Sequence, residues 1–303
     1  GRIMSTGRTK IRKSGSDKVF DGIVLVFLTL LLILVLYPLI YIVSASFSSA
    51  SAVTSGKVIL LPVDFSLEGY KAVFENKDIW LGYKNTIIYT VCGTFINVAV
   101  TLMAAYPLSR KDLKGKGILT VFFTFTMLFG GGMIPNYILI RDLHLMNTRW
   151  AIILPGALSV YNMIVARTFI QSNIPDELLE ASQLDGCSDT KYFFSIILPL
   201  SKAVIAVLAL FYGVGHWNAY FNAFLYLNDK KLYPLQIFLR EILINNTMDM
   251  NSFVDPTLME AKQGLADLLK YSLIIVASVP VLCLYPFAQK YFVKGVMIGS
   301  VKG

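Results

Sequence analysis

The chain has 303 residues, of which 55% are hydrophobic and only 15% are charged, and its mean hydropathy is +0.63. This composition is too apolar for the single core of a soluble protein, and it excludes a soluble enzyme. The apolar residues cluster in runs of about 20, the length at which a helix crosses the hydrocarbon of a bilayer. The three cysteines and two histidines offer neither a disulfide framework nor a zinc ligand set. The composition therefore predicts an all-α integral membrane protein.

Six apolar segments predict six transmembrane helices. In chain order they cover residues 19–44, 85–107, 118–140, 150–169, 203–227 and 268–290. The first run is longer than the roughly 7 to 15 apolar residues of a secretory signal peptide, which favours an uncleaved signal anchor. The sequence thus divides into a basic N-terminal segment (1–18), a six-helix transmembrane domain (19–290) and a C-terminal tail (291–303).

Positive charge indicates the orientation of these helices. If the N-terminus is cytoplasmic, the inside segments hold 16 of the 27 Lys and Arg residues and 8 of the 19 Asp and Glu residues. The net charge of +8 then lies wholly on the cytoplasmic side, as the positive-inside rule favours, and both termini are cytoplasmic. No outward basic patch with interleaved aromatic residues is left over, so the basic composition does not indicate nucleic-acid binding.

Glycine and proline interrupt several of the apolar segments. The third segment has only about twelve apolar-dominated residues before Gly130-Gly131-Gly132 and Pro135, so one unbroken helix is not expected there. Irregular backbone at membrane depth is tolerated where protein or a water-filled cavity supplies hydrogen bonds, and such breaks point to a translocation path. An interfacial kink beside a loop is the alternative. Pro155-Gly156 and Pro280 are weaker versions of the same signal.

Polar and aromatic residues occur together near the middle of the fifth segment. They are Trp217, Asn218, Phe221 and Asn222, and a weaker pair in the fourth segment is Tyr161 and Asn162. The four-residue spacing predicts that the two asparagines of the fifth segment share one helix face, and that its two aromatic residues share another. Amides hydrogen-bond sugar hydroxyls and aromatic rings cover the apolar faces of pyranoses, so these residues predict a path for a sugar. Helix packing and interfacial anchoring are the alternative roles.

The loop between the fourth and fifth segments, about residues 172–199, is predicted to form a helix, a turn and a second helix. Asn173 is the expected N-cap, Pro175 lies in the first turn, and Gly186 provides a left-handed exit. The acidic residues that follow the proline suit the positive end of the helix dipole. A short helix that presents apolar and acidic residues to the cytoplasm is suited to a groove on a soluble partner.

This loop resembles the hallmark loop of the permease subunits of binding-protein-dependent ABC importers, whose pattern is EAA, three residues, G, nine residues, I, one residue, LP. The chain has Glu180-Ala181-Ser182, Gly186, Ile196 and Leu198-Pro199 at matching spacings. It departs from the pattern only where Ser182 replaces the second alanine. The resemblance extends over nearly the whole chain.

Two further stretches resemble narrower groups within that family. The C-terminal residues 293–303 are similar to the carbohydrate class, specifically to permeases like MalG of the maltose importer. Residues 129–135, 145–148 and 153–155 are similar to the Lpl and Ytc permeases for oligosaccharides. The resemblance implies a type I ABC importer permease fold in the bacterial cytoplasmic membrane.

The resemblance also implies partners and residue roles. The chain is expected to form half of the translocation path for an oligosaccharide, beside a second homologous permease subunit in the lipid bilayer, with two cytoplasmic ATPase subunits and an extracytoplasmic solute-binding protein. The residues expected to couple it to the ATPase are Glu180, Ala181, Ser182, Asp185, Gly186, Leu198 and Pro199. The chain has no GxxxxGK[ST] phosphate loop. It is therefore expected to be non-catalytic and to hold no cofactor, while ATP and Mg²⁺ bind to the ATPase subunits.

Three alternatives remain at this stage. An ABC permease for a non-sugar solute, such as a peptide or a lipid headgroup, would share the same loop. A secondary transporter or channel would be expected to place acidic residues at the membrane centre, where the predicted helices have none. A membrane scaffold or sensor that transports nothing would lack an ATPase partner.

Overall fold

The computed structural model describes residues 14–248 and 256–299, and these residues form helices and connecting loops without a β-strand. The predicted all-α class is confirmed for this part of the chain. The long helices are α1 (Gly15–Ser46), α4 (Lys77–Ser109) and α15 (Pro256–Gly299). The other α-helices are α2 (Ala50–Thr54), α3 (Glu68–Glu75), α5 (Lys116–Leu128), α6 (Met133–Asp142), α7 (Trp150–Ile153), α8 (Val160–Asn173), α9 (Asp176–Leu184), α10 (Asp189–Tyr192), α11 (Leu198–Leu200), α12 (Lys202–Asn218), α13 (Phe221–Tyr226) and α14 (Leu235–Met248).

Three of the described helices are long and apolar enough to cross a membrane. They are Gly15–Ser46, Lys77–Ser109 and the part of α15 from Gly264 to Pro286. Two helix pairs that are bent at a short break would raise the number to five if each pair is one span. Along its most apolar stretch, α1 is not buried at all within the described chain. A helix this apolar needs lipid or another apolar surface around it.

Contacts divide the chain into two compact units, the first of which comprises residues 1–70 and 255–272. Its described core is a small apolar cluster of Ala45, Ala52, Val53, Val58 and Leu268. Two serines at the end of α1 hold the following loop in place. Ser44 Oγ donates to the Leu60 carbonyl at 2.6 Å, and Ser48 Oγ accepts from the Val63 amide at 3.0 Å. These bonds satisfy backbone groups where the chain leaves the helix.

The second unit, residues 71–254 and 273–303, is built around α4. This helix packs against α8, α12 and α14. Gly93 lies directly under the ring of His216, because a Cβ at Gly93 would come within 2.4 Å of His216 Nε2. His216 Nε2 is also 3.0 Å from Asn97 Oδ1. Small residues that admit a close neighbour, together with hydrogen bonds between helices, are the usual means of packing helices in a membrane.

The predicted break in the third segment is confirmed. Helices α5 and α6 are bent by 109° across residues 129–132. Gly132 has φ +90°, a backbone conformation that residues other than glycine rarely adopt. The structure is therefore a broken span or a re-entrant loop rather than one helix.

The predictions of single helices over residues 150–169 and 203–227 are wrong. In the fourth segment α7 ends at Ile153, and α8 begins only at Val160, beyond Pro155-Gly156. Asn97 Nδ2 donates to the Gly156 carbonyl at 2.5 Å, which supplies the hydrogen bond that an interrupted helix needs at membrane depth. Pro280, by contrast, lies inside α15 without ending it.

The fifth segment is interrupted after Asn218, because Ala219 has extended backbone (φ −70°, ψ 117°). The side chain of Asn218 donates to the Val214 carbonyl at 3.0 Å, so it satisfies one of the carbonyls in the last turn of α12. The helix resumes as α13 at Phe221.

The predicted boundaries of the outer segments are only partly described. α15 continues past residue 290 to Gly299, so the helix runs nine residues beyond the predicted end of the sixth segment. Residues 1–13 of the predicted basic segment and residues 300–303 of the predicted tail lie outside the described residues.

Candidate functional site

The loop between α8 and α12 begins with α9, and the predicted N-cap at Asn173 is wrong. Asn173 ends α8, where its Nδ2 donates to the Phe169 carbonyl at 2.9 Å, and Pro175 occupies the N-cap of α9. Ile174 is extended (φ −114°, ψ 109°). A residue before proline is disfavoured in helical conformation, so the chain leaves one helix at Ile174 and can enter the next only after the proline. Asp176 and Glu177 lie in the first turn, as predicted.

Gly186 ends α9 with φ +71°, the left-handed conformation that the sequence predicts. Two backbone hydrogen bonds close the turn. The Cys187 amide donates to the Ser182 carbonyl at 2.9 Å, and the Gly186 amide donates to the Gln183 carbonyl at 3.0 Å. This pair of bonds is the Schellman arrangement, which satisfies carbonyls that the helix end leaves unpaired. The turn therefore fixes the direction in which the chain leaves α9.

The surface of α9 combines acidic and apolar side chains. Glu180, Ala181 and Asp185 are exposed, and Leu184 is 90% exposed. Ser182 is the one buried residue of this helix, and its Oγ donates to the Leu179 carbonyl at 2.7 Å. The serine that departs from the family pattern is therefore buried within the chain, and its hydroxyl is hydrogen-bonded. An uncovered leucine at the tip of a loop is the kind of side chain that a partner's groove can bury.

The second arm of the loop consists of α10, a π-helical turn (Phe193–Ile197) and α11. Tyr192 and Ile197 are buried in the core of the second unit, whereas Pro199 is exposed. A proline in a helix lacks an N–H and clashes with the carbonyl four residues earlier, which here belongs to Ser195. The π-helical turn that contains Ser195 is a local adjustment of the kind that tolerates a proline in a helix at the membrane. Leu198 and Pro199 thus end the loop beside its buried anchor.

Arg110, just after α4, connects that helix to the second arm of the loop. Its side chain is only 14% exposed. Its Nε donates to Asp112 Oδ1 at 2.8 Å, its Nη1 donates to the Tyr106 hydroxyl at 3.2 Å, and it forms an ion pair with Asp189 at the start of α10. Sequence reasoning missed this residue, because Arg110 and its partner Asp189 on α10 are 79 positions apart in the chain.

Arg110 and Asp112 stabilise each other's charged forms. Hydrogen bonding to the Arg110 guanidinium lowers the pKa of the Asp112 carboxyl below its ordinary value, and these bonds raise the pKa of Arg110. Because the carboxyl pKa is lowered, the stabilisation is present above the ordinary pKa and is lost only as the pH falls through the lowered one. The bond between Arg110 and Asp112 therefore holds throughout the physiological range.

The first arm of the loop has weaker ties to the end of α4. Lys111 Nζ is 2.5 Å from Asp176 Oδ2, but both side chains are exposed, and an exposed ion pair stabilises little. Gln171 Nε2 at the end of α8 donates to the Ser109 carbonyl at 3.1 Å. The two arms are therefore both in contact with the end of α4, and the better-buried contact is that of Arg110.

A cavity of 410 Å³ lies beside the end of α12, and it includes two of the residues predicted for the sugar path. Its lining consists of Trp217, Asn218, Gln236, Leu239, Ile274, Ala277, Ser278, Val281 and Leu282. Trp217 is only 7% exposed, its Nε1 donates to the Ala277 carbonyl at 3.0 Å, and its ring meets that of Tyr83 edge-on at 6.1 Å. Asn218 is exposed. The lining is uncharged, so it offers hydrogen bonds without a formal charge.

The other predicted path residues do not line this cavity. Asn222 and Phe221 belong to α13, so the predicted shared faces with Asn218 and Trp217 are wrong, because the interruption at Ala219 separates the two helices. Tyr161 and Asn162 lie in the first turn of α8, where the tyrosine is exposed and the asparagine is buried.

The cavity residues that sequence reasoning missed are Gln236 and Ser278. Their signal is weak, because each is a single polar residue in an otherwise ordinary helical pattern. Within residues 14–248 and 256–299, no group of three or more His, Cys, Asp or Glu residues comes together as metal ligands would.

The whole chain is similar to known transport proteins. A family model described as "Binding-protein-dependent transport system inner membrane component" matches residues 5–298. The polygalacturonan/rhamnogalacturonan transport system permease protein YtcP of Bacillus subtilis (strain 168) is 40% identical over 290 residues, which cover 95% of this chain and 99% of YtcP. Protein LplC of the same organism is 40% identical over 291 residues, 95% of this chain and 96% of LplC.

A solved structure is similar in both fold and sequence. It belongs to a bacterial ABC transporter involved in the import of the acidic polysaccharide alginate. The match has a TM-score of 0.84 and 33% sequence identity, and it covers 93% of this chain and 100% of the chain in that structure.

Proposed function

Because the chain belongs to the family of binding-protein-dependent transport system inner membrane components, and is a permease subunit of an ABC importer for sugars, we propose that its substrate is an acidic oligosaccharide that contains uronate residues. The observation that supports this substrate class is the agreement of two relatives. YtcP is named for polygalacturonan and rhamnogalacturonan, and the similar solved structure is that of an alginate importer. All three polymers carry carboxylates on their sugar rings.

A permease of this family works with other transporter subunits, including a binding protein and an ATPase. The assembly proposed for this chain contains one second homologous permease subunit, two ATPase subunits and one extracytoplasmic solute-binding protein. ATP and Mg²⁺ bind to the ATPase subunits, and this chain contributes no catalytic residue. Its part is to convert the movement of the ATPase subunits into opening and closing of the path.

The proposed contact with the ATPase is the loop that contains α9. Its coupling residues are Glu180, Ala181, Ser182, Asp185, Gly186, Leu198 and Pro199. The uncovered Leu184 at the tip supports this role, since an apolar groove on a partner would remove it from water. The Arg110 ion pair with Asp189 supports it as well, because it joins the loop to α4. Displacement of the loop is then passed to α4 and to the helices packed on it.

The proposed path for the sugar includes the cavity beside the end of α12. Asn218 offers an exposed amide to sugar hydroxyls, while Trp217 forms the buried wall behind it. The exposed rings of Phe221 and Tyr161 are candidates for stacking outside this cavity, with Asn222 and Asn162 beside them in sequence.

The proposed orientation places both termini and the coupling loop in the cytoplasm, and the native thiols test it. Cys187 lies in the loop and is partly exposed, whereas Cys92 and Cys283 lie in the long helices α4 and α15 on surfaces that lipid or a partner helix can cover. A membrane-impermeant maleimide is expected to label Cys187 in inverted vesicles but not in intact cells, and to leave the other two unlabelled, because the reaction requires a thiolate in water. Cys187→Ser is the control. Labelling of Cys187 from outside intact cells would contradict the orientation.

Uptake by the reconstituted transporter tests the proposed substrate. Proteoliposomes that contain this chain, the second permease and the ATPase subunits are expected to accumulate trigalacturonate when the binding protein is outside and ATP is inside. Accumulation should stop when ATP is replaced by a nonhydrolysable analogue. A transporter that imports a neutral trisaccharide and leaves trigalacturonate outside would contradict the acidic substrate class.

A further inference from the structure

Arg240 on α14 is held in place by an aromatic ring rather than by a carboxylate. Its guanidinium carbon lies 4.3 Å from the centroid of the Phe224 ring. In the part of the chain that the structure describes, no carboxylate forms an ion pair with Arg240 and no side chain or carbonyl accepts its N–H groups. A guanidinium stacked on a ring keeps its N–H donors at the edge, where they remain available to a ligand.

Other arginines of the second unit have a polar partner. Arg110 contacts Asp112 and Asp189, Arg141 contacts Asp142, Arg149 contacts Asn85, and Arg167 lies 3.5 Å from the Thr120 hydroxyl. Leaving a cation unpaired in or near a membrane costs free energy, so such a cation usually has a functional role. Among the residues that the structure describes, Arg240 differs from these arginines because its guanidinium has a ring contact but no ion pair or hydrogen bond.

Arg240 is on the same helix as a residue that lines the cavity beside the end of α12. Gln236 lines that cavity and is four residues, or about one helical turn, from Arg240 on α14. The opposite side of α14 is buried, since Leu235 and Phe238 lie against Gly82 of α4. The face that carries Gln236 and Arg240 is therefore the open one. Arg240 is not itself among the lining residues, but it places a positive charge one turn along α14 from Gln236.

We propose that Arg240, together with the amides of Gln236 and Asn218, forms a recognition site for the carboxylate and adjacent hydroxyls of a uronate residue, an inference that rests on the acidic substrate proposed above. The guanidinium pairs with the carboxylate through two parallel N–H···O bonds, the geometry that arginine offers and lysine does not. The amides hydrogen-bond the hydroxyls of the same or the next sugar. Phe224 fixes the guanidinium before the sugar arrives, so less side-chain freedom is lost on binding.

Equilibrium binding to the permease and ATPase complex in nanodiscs tests this site without the selectivity of the binding protein. The two probes are trigalacturonate and its carboxyl-reduced counterpart galactotriose, which has the same length and linkages without the charge. In Arg240→Gln the Kd for trigalacturonate is expected to rise about tenfold or more, and the Kd for galactotriose to change less than about twofold, because only the charged hydrogen bonds are lost. Arg240→Lys should recover part of the affinity, since it keeps the charge and loses the bidentate geometry.

Arg141→Gln is the matched control, because it removes an arginine that is exposed and already paired with Asp142. It should bind both probes as the wild type does. Equal weakening for both probes in Arg240→Gln, or no weakening for either, would overturn the site. Uptake separates this failure from that of the proposed function. If the wild-type transporter imports trigalacturonate and Arg240→Gln binds it with the wild-type Kd, the recognition site is wrong and the acidic substrate class stands. If the wild-type transporter does not import trigalacturonate, the acidic substrate class is wrong as well.

Discussion

Gly186→Val is expected to abolish oligosaccharide uptake while the protein still inserts into the membrane. Gly186 has φ +71°, and a Cβ at this position would meet no other atom within 4 Å. The substitution therefore introduces no collision, and its cost is backbone strain of about 1 to 3 kcal/mol for a β-branched residue forced into this conformation. The chain relieves that strain by opening the turn that the Gly186 and Cys187 amides close. Opening the turn reorients α9 relative to the second arm.

The measurements are uptake into proteoliposomes and co-purification of the ATPase, both of which should fall. Gly115→Val is the matched control, because Gly115 has φ +79°, also lies in open surroundings, and precedes α5 outside the coupling loop. It should impose similar strain and leave the ATPase bound. Gly186→Asn should retain substantial uptake, since asparagine tolerates the left-handed region. Normal uptake in Gly186→Val, or loss of ATPase binding in both valine variants, would show that the turn has no specific coupling role.

The features that could be predicted from the sequence are those that depend on neighbouring residues. The loop that contains α9 is one, since a proline, a positive-φ glycine and the residues between them fix a helix, a turn and a second helix through local backbone preferences. The break in the third segment is another, because Gly130-Gly131-Gly132 and Pro135 cannot continue an apolar helix. The long apolar helices α1, α4 and α15 follow from their length and composition.

The contacts that could not be predicted join residues that are distant in the chain or depend on one dihedral angle. The ion pair of Arg110 with Asp189 requires α4 to end beside α10, which no local pattern specifies. The extended conformation of Ala219 is the feature that most alters which of the predicted path residues lie together. An uninterrupted helix would have aligned Asn218 with Asn222, whereas the interruption separates them, and Asn218 lines the same cavity as Gln236 and Ser278.

Trp217→Ala and Asn218→Ala are expected to separate a packing role from a transport role at adjacent positions. Trp217 is buried, contacts Tyr83 edge-on, and donates to the Ala277 carbonyl of α15. Its truncation should destabilise the fold by about 3 to 5 kcal/mol and reduce the yield of assembled transporter, because a large cavity replaces the ring. Asn218 is exposed, and within the described residues its side chain bonds only to the Val214 carbonyl one turn earlier in its own helix. Its truncation should leave assembly intact.

For Asn218→Ala, uptake should fall about tenfold, since a sugar hydroxyl in the path loses its amide partner at a cost of about 1 to 3 kcal/mol. ATP hydrolysis stimulated by the binding protein should persist, because the coupling loop and the contacts of α4 are unchanged. Trp217→Phe keeps most of the apolar volume, and it should therefore assemble better than Trp217→Ala and import sugar at a measurable rate. Thermal unfolding of the purified complex, ATP hydrolysis in nanodiscs and uptake in proteoliposomes together give the three readouts. Loss of hydrolysis and assembly in Asn218→Ala would assign that side chain to helix packing and remove it from the path.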